Sequence, residues 1–406
     1  MLATEPADWT AHRYDPLDAG VMCDPYPHYA RLREAAPLCW VRPAAMGITR
    51  YDDVVKLVKS GRIASSFPEH DPRFALGDGP AAELTKHVLL MREVQDHQRL
   101  RSLLAPAFSP QRLVTLQQRI DDHVDAMLDR AIDNGGFDAV SDLALPLTVA
   151  VVCDLLGIDR ELQREIGLRS RQLSQAFAPF AMPQEGRSAA SESLAWLREL
   201  VGRLIDERMH APRGDLLSEF AAALQVDSGC SREELVDNAV FVVFTGYETT
   251  SSLIGTGFSM LLDHEAECRR LWDNPHLVKS AVHEMMRFDA PSQFAAGVAR
   301  DAVDFHGHRI KPGRVVFFML GSANRDPRKF DRPDQFDIAR EHNPHLSFGL
   351  GAHYCVGAAL AMMECHAVFL RALHRLRSIE PRGQALRLPN PSIRSFSSVP
   401  VAVLPR

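Results

Sequence analysis

At 406 residues, with 46% hydrophobic and 24% charged residues, the chain has ordinary globular composition, which excludes a fibrous repeat or a disordered polymer. Its formal net charge of −6 argues against a protein that coats nucleic acid, because phosphate binding needs a concentrated basic surface. Length alone allows two or three domains, but no linker or internal repeat divides the chain, so a single domain over residues 1–406 is expected.

Glu5, Asp8, His12 and Arg13 open the chain without the basic cap and apolar run of a signal peptide. Residues 21–60 begin with a proline-punctuated segment, and Met46–Thr49 reads as a strand leading into a short helix. Between Gln111 and Asn134, Leu113, Leu116, Ile120, Val124, Met127, Leu128 and Ile132 recur at three- and four-residue steps until Gly135-Gly136 stops an amphipathic helix. Leu143–Ile158 comes nearest to the roughly 18 apolar residues of a membrane helix, but it holds Pro146 and Asp154; no membrane segment and a cytoplasmic monomer are expected. Leu194, Leu197, Leu200, Val201, Leu204 and Ile205 mark another helix. From about Glu233 to Asp273 no proline intervenes, and Ala239–Phe244 is apolar all round, which predicts one long central helix buried on every side. Between Asp301 and Leu320 the period shifts towards two, with turns at His306-Gly307 and Pro312-Gly313. Residues 321–354 look irregular, as in a loop wrapped around something functional. The fold class is mainly α with small β-sheets.

Seven cysteines are scattered and odd in number, so neither a disulfide framework nor a zinc site is indicated. Cys355 stands apart. The stretch His345–Gly357 ends a glycine-punctuated loop at the start of a helix, where partial positive charge and free N–H groups around Val356, Gly357 and Ala358 favour a thiolate. Gly349, Gly351 and Gly357 remove side chains where φ > 0 or close approach of a flat ring is needed.

Phe348, Gly349, Gly351, His353, Cys355 and Gly357 match the Phe-Gly-x-Gly-x-[His/Arg]-x-Cys-x-Gly pattern of the cytochrome P-450 family at every fixed position, and the chain resembles that family. Other segments resemble it too: Asp24-Pro25-Tyr26-Pro27 near the start, a His-x-x-x-Arg segment at His97 and Arg101, Thr245-Gly246-Tyr247-Glu248-Thr249 on the central helix, and Glu284-x-x-Arg287 with Arg340. The resemblance covers nearly the whole chain. It implies a triangular, mostly helical fold with b-type haem (iron protoporphyrin IX) bound through Cys355. O2 would be the co-substrate, with electrons passing from NAD(P)H through an external ferredoxin and ferredoxin reductase. Arg99, Arg112, Arg371 and Arg375 are candidate ferredoxin contacts.

On this resemblance Gly246 would leave room for dioxygen, Glu248 and Thr249 would relay protons, and a Thr249 hydroxyl bonded one turn back would loosen the helix into a groove. Glu284, Arg287 and Arg340 would form a structural network. The position where many soluble members carry a propionate-binding arginine falls on Gly297. His97, Arg101 and His353 would then carry the clamp, with Arg300 as help, and an arginine at 297 should be tolerated. Leu89, Leu90, Phe177, Phe180, Val240, Val243, Phe244, Thr245, Phe294, Ala295 and Phe396 are expected to line a chamber for an apolar or weakly polar molecule of secondary metabolism, hydroxylated or epoxidised there. Rival readings keep the haem: a peroxygenase, an oxidative coupling or rearrangement enzyme, or a non-catalytic haem sensor.

Overall fold

The computed structural model describes residues 11–41, 45–65, 80–176, 184–226 and 228–406. Helices dominate from Pro80 to Phe288, and a second helical stretch, Ala358–Arg375, follows the cysteine loop. The central helix runs from Arg232 to Asp263. Ser231 caps it by accepting from the Glu234 N–H, and Glu234 returns the bond to the Ser231 N–H, so two of the four free N–H groups are satisfied. Beyond that cap the helix is buried along most of its length, as the apolar run at Ala239–Phe244 predicts.

It stops ten residues before the expected end. His264 turns the chain at φ −122° and ψ 69°, and a separate helix spans Glu265–Asp273. The imidazole Nδ1 of His264 lies 2.8 Å from the Met260 carbonyl, and its ring packs on Phe288 and Phe336. A side chain that bonds the last turn and is held by two aromatic rings ends the helix without proline or glycine.

The Pro110–Asp133 helix begins with proline at its first position and buries Leu113, Leu116, Ile120, Val124, Met127 and Leu128 on one stripe. Ala131, not Ile132, completes that stripe. Gly157, at φ 70°, closes the Leu145–Leu156 helix in the left-handed conformation that glycine tolerates. Among the described residues, Ala139–Leu156 is the one stretch apolar and long enough to cross a membrane, and 72% of it is buried inside the protein.

The strands are β1 (Arg13–Tyr14), β2 (Leu38–Val41), β3 (Ala45–Ile48), β4 (Ile63–Ala64), β5 (Gly136–Asp138), β6 (Ala295–Ala299), β7 (Val303–Phe305), β8 (His308–Ile310), β9 (Val315–Phe318), β10 (Leu376–Pro381), β11 (Leu386–Arg387), β12 (Phe396–Ser398) and β13 (Pro400–Pro405). Six of them make a mixed sheet in the order β1-β2-β3-β9-β6-β4, while β10-β13-β5, β11-β12 and β7-β8 make smaller ones. The β7–β8 turn has positive φ at both His306 and Gly307, the conformation that matches hairpin twist. One apolar cluster surrounds the central helix. Two others include residues of the six-stranded sheet, one with Tyr51 and Phe330, the other with Tyr14 and Tyr29.

Candidate haem-thiolate site

The cysteine loop is shaped by its own backbone. Gly349 and Gly351 take φ 70° and 73°, where any Cβ would be strained, and the Cys355 N–H donates to the Phe348 carbonyl at 2.9 Å. The loop ends at Gly357, the N-cap of the Ala358–Arg375 helix. Cys355 is exposed, yet burial is the strongest influence on its thiol and pushes it up, against a bond from the Gly357 N–H and the charge of Arg101. The residue is thus open to solvent while its sulfur is crowded by neighbouring atoms. A cation bound at the sulfur would add to the Gly357 N–H and Arg101 in favouring the thiolate.

Three basic side chains gather near Cys355. The rings of His97 and His353 lie 4.1 Å apart, and the Arg101 guanidinium donates to the Tyr354 carbonyl at 2.9 Å. Burial, then His97 and Arg101, lowers His353 to about 4; burial and Arg101 lower His97. His97 is buried and its Nε2 has no hydrogen-bond partner among the described residues. A buried, unmatched donor or acceptor is costly, and here it sits beside a second imidazole and a guanidinium. The donor set fits a group that brings carboxylates, as haem does through its propionates.

Arg300 is not in this cluster. Its guanidinium pairs with Glu93, which also accepts from the Ser65 N–H at 2.6 Å. Nor is Gly297 an open position. A Cβ there would lie 2.5 Å from the Ala64 carbonyl oxygen and 2.5 Å from a methyl of Ile63, because β4 pairs with β6 at this point. The expectation that arginine is tolerated at 297 is therefore corrected: neighbouring backbone fills the space.

On the central helix the Thr249 hydroxyl donates to the Thr245 carbonyl at 3.0 Å, and Thr245 does the same to Phe241 at 2.8 Å. The bond one turn back is present, and the helix runs on across it to Asp263. Gly246 also sits against a neighbouring helix. A Cβ would lie 2.7 Å from Val152, so the missing side chain lets the Leu145–Leu156 helix approach. Glu248 is buried beside Tyr247, whose phenol is pushed far up by burial and then by that carboxylate. Tyr247 escaped sequence reasoning because the family pattern leaves its position open.

Behind the loop, Glu284 is fully buried and accepts from Arg287 Nε and Nη2 at 2.8 Å each. It also accepts from Arg340 Nε at 3.0 Å, the Asp337 N–H at 3.0 Å and Asn343 Nδ2 at 3.0 Å. Arg287 spends its remaining donors on the carbonyls of Asn324, Pro333 and Gln335. The irregular stretch after residue 320 is thus tied to one carboxylate.

Candidate chamber residues divide. Val240, Val243, Phe244, Leu89 and Phe396 are buried, Thr245 is half-buried, and Leu90 and Ala295 are exposed. Phe294 is partly buried and packs edge-on to Phe317 at 4.9 Å. Phe177 and Phe180 lie outside the described residues. The arginines expected as ferredoxin contacts are ion-paired and part-exposed. Arg99 is taken by Glu234, Arg112 by Glu219, and Arg371 and Arg375 by Asp125 and Asp129; each joins two helices.

Comparison with known proteins decides the family. The chain is 30% identical to the polyketide biosynthesis cytochrome P450 PksS of Bacillus subtilis over 94% of this chain and 96% of that protein. The chain belongs to the cytochrome P450 family. The family model for cytochrome P450 matches residues 268–401. The solved structure of CalO2 superposes with a TM-score of 0.91 at 32% identity, covering 97% of this chain and 99% of the other. P450BioI in complex with an acyl carrier protein ligated to hexadec-9Z-enoic acid gives 0.88 at 28% identity, covering 95% and 100%. The protein is thus a P450 monooxygenase, a haem-dependent oxidoreductase that uses O2, with relatives in secondary metabolism and carrier-linked pathways.

Proposed function

We propose that Cys355 is the thiolate ligand of the haem iron in this P450, with His97, Arg101 and His353 holding the propionates. The reaction would insert one oxygen atom into an apolar or weakly polar substrate. The carrying observation is the cluster itself: a cysteine after a left-handed glycine loop, with Arg101 near enough to act on its sulfur and a buried, unmatched His97 Nε2 whose ring lies against His353. When bound, haem iron ligated by a thiolate supplies the oxygen-activating chemistry, because the sulfur donates electron density that favours O–O cleavage.

The chain's own residues do the rest. The Gly357 N–H bonds the sulfur and orients it. Thr249 commits its proton to the Thr245 carbonyl, which leaves the lone pairs of its oxygen free to receive a proton and pass one on. Glu248, buried next to Thr249 in the chain, is the carboxyl that would relay the proton, while Tyr247 keeps its own proton and stays neutral beside it. Val240, Val243, Phe244, Thr245, Leu89, Leu90, Ala295 and Phe396 form the chamber, and apolar walls select a greasy substrate and exclude water. The likeness to proteins named for polyketide biosynthesis and for an acyl-carrier complex supports an acyl or polyketide-type molecule. Electrons come from NAD(P)H through a ferredoxin and its reductase, and the whole works as one domain.

The test is the reduced carbon-monoxide spectrum. Wild-type protein should show the strongly red-shifted Soret band of thiolate ligation, and Cys355→His should lose it while still taking up haem. Retention of the band in that variant, or dependence on another cysteine, would overturn the assignment.

A further inference from the structure

Asp289, at the end of the Val278–Phe288 helix, gathers three segments of the chain. One carboxylate oxygen accepts from the Tyr26 hydroxyl and from Arg394 Nε, both at 2.7 Å, and the other accepts from Arg387 Nη2 at 2.9 Å. Burial opposes its charge, but Arg394 and Arg387 together hold the carboxyl down at about 2. Arg394 is the buried half of the pair and also donates to the Met22 and Cys23 carbonyls. Arg387 is different, because its side chain is 32% exposed and one guanidinium edge is spent on Asp289.

Arg387 and Phe396 are direct cross-strand partners in the β11–β12 hairpin. Residues opposite one another in an antiparallel pair project to the same face, and here the guanidinium carbon lies 4.2 Å from the centre of the Phe396 ring. Phe396 is buried on its other side in the cluster around the central helix, against which β12 packs. The ring is held between that core and a flat cation that Asp289 does not allow to swing away.

We propose that Arg387 is a positioning residue for substrate selection: its guanidinium, fixed by Asp289, sets the plane of Phe396 and so the shape of the chamber wall. The proposal rests on the reading of Phe396 as a wall. A planar guanidinium stacks on a ring as an ammonium does not, so lysine at 387 keeps a charge beside Asp289 yet releases the ring. Selection by ring position, not overall affinity, is the property that changes.

The experiment uses the haem-loaded full chain and two probes: myristic acid, long enough to report on the walls, and imidazole, which reports on access to iron. The ratio of their dissociation constants is read from the visible spectrum. Arg387→Lys should move the ratio by about tenfold or more with haem content and melting temperature unchanged. In a Phe396→Ala background it should move nothing further, since the cycle then has no ring to act on. A ratio within about twofold of wild type in Arg387→Lys, or full additivity with Phe396→Ala, overturns the proposal alone. If Phe396→Ala itself leaves the ratio unchanged, Phe396 is no wall and the proposal falls with that reading.

Discussion

Two regions on either side of Cys355 treat polar groups in opposite ways. Behind the loop, Glu284 is bonded by five donor groups, two arginine nitrogens from Arg287 among them, and is fully buried. In the cluster near Cys355, His97 Nε2 is equally buried and unmatched, and two imidazoles and a guanidinium crowd one another. Asn343 Oδ1 is unmatched beside Glu284 too, so the difference lies in charge: the scaffold pairs its carboxylate with arginines, whereas His97, Arg101 and His353 form no ion pair among the described residues. The second group suits an anion from outside the chain.

The largest expected effect breaks the scaffold. Glu284→Ala leaves Arg287, itself fully buried, without its carboxylate, and stranding a buried charge costs about 3–5 kcal/mol. The variant should lose most folded, haem-loaded protein, measured by melting temperature and haem content. A melting temperature within error of wild type would show that the network is not structural. Gly297→Arg comes next. Its Cβ would press on the Ala64 backbone, and overpacking typically costs about 1–3 kcal/mol. Lower stability is expected, and a variant that melts at or above wild type with slower haem loss would restore the idea of a vacant arginine position.

Near Cys355 the balance should reverse. The one hydrogen bond seen for Arg101 goes to the Tyr354 carbonyl, so Arg101→Ala should leave the unfolding of the haem-free protein nearly unchanged. Transfer of haem to apomyoglobin should nevertheless speed up by about tenfold or more, given the worth of a charge-assisted pair, about 1.5–3 kcal/mol. Equal transfer rates would remove Arg101 from the clamp, while a collapse of the haem-free fold would move it to the scaffold class.

What could be read from the chain divides along a similar line. The cysteine loop was legible because its constraint is local: Gly349 and Gly351 need positive φ, and the residues around them are contiguous. The Pro110–Asp133 helix was legible from its 3.6-residue period. Illegible were features set by distant partners. The helix break at His264 depends on Phe288 and Phe336. Gly297 is explained by a strand more than two hundred positions earlier. The arginines expected as a docking patch are ion-paired with acids on other helices, and no charge count reveals that pairing.

Glu364 belongs to neither region cleanly, and its effect is smallest near pH 5 and grows only with pH. It is buried on the helix that follows Cys355, one of its oxygens has no partner among the described residues, and burial alone raises its carboxyl well above the ordinary 4.5. Such a group keeps its proton in the folded state while the unfolded chain releases it. Above about pH 4.5 the unfolded state therefore binds fewer protons, and stability falls as pH rises towards the folded value. Glutamine has nearly the same shape and no charge to release, so Glu364→Gln should match wild type within roughly 1 kcal/mol near pH 5. It should then gain on wild type steadily between about pH 5 and 8, as read from urea midpoints. A difference that stays flat across that range would mean that Glu364 ionises in the fold with a partner, as Glu284 has.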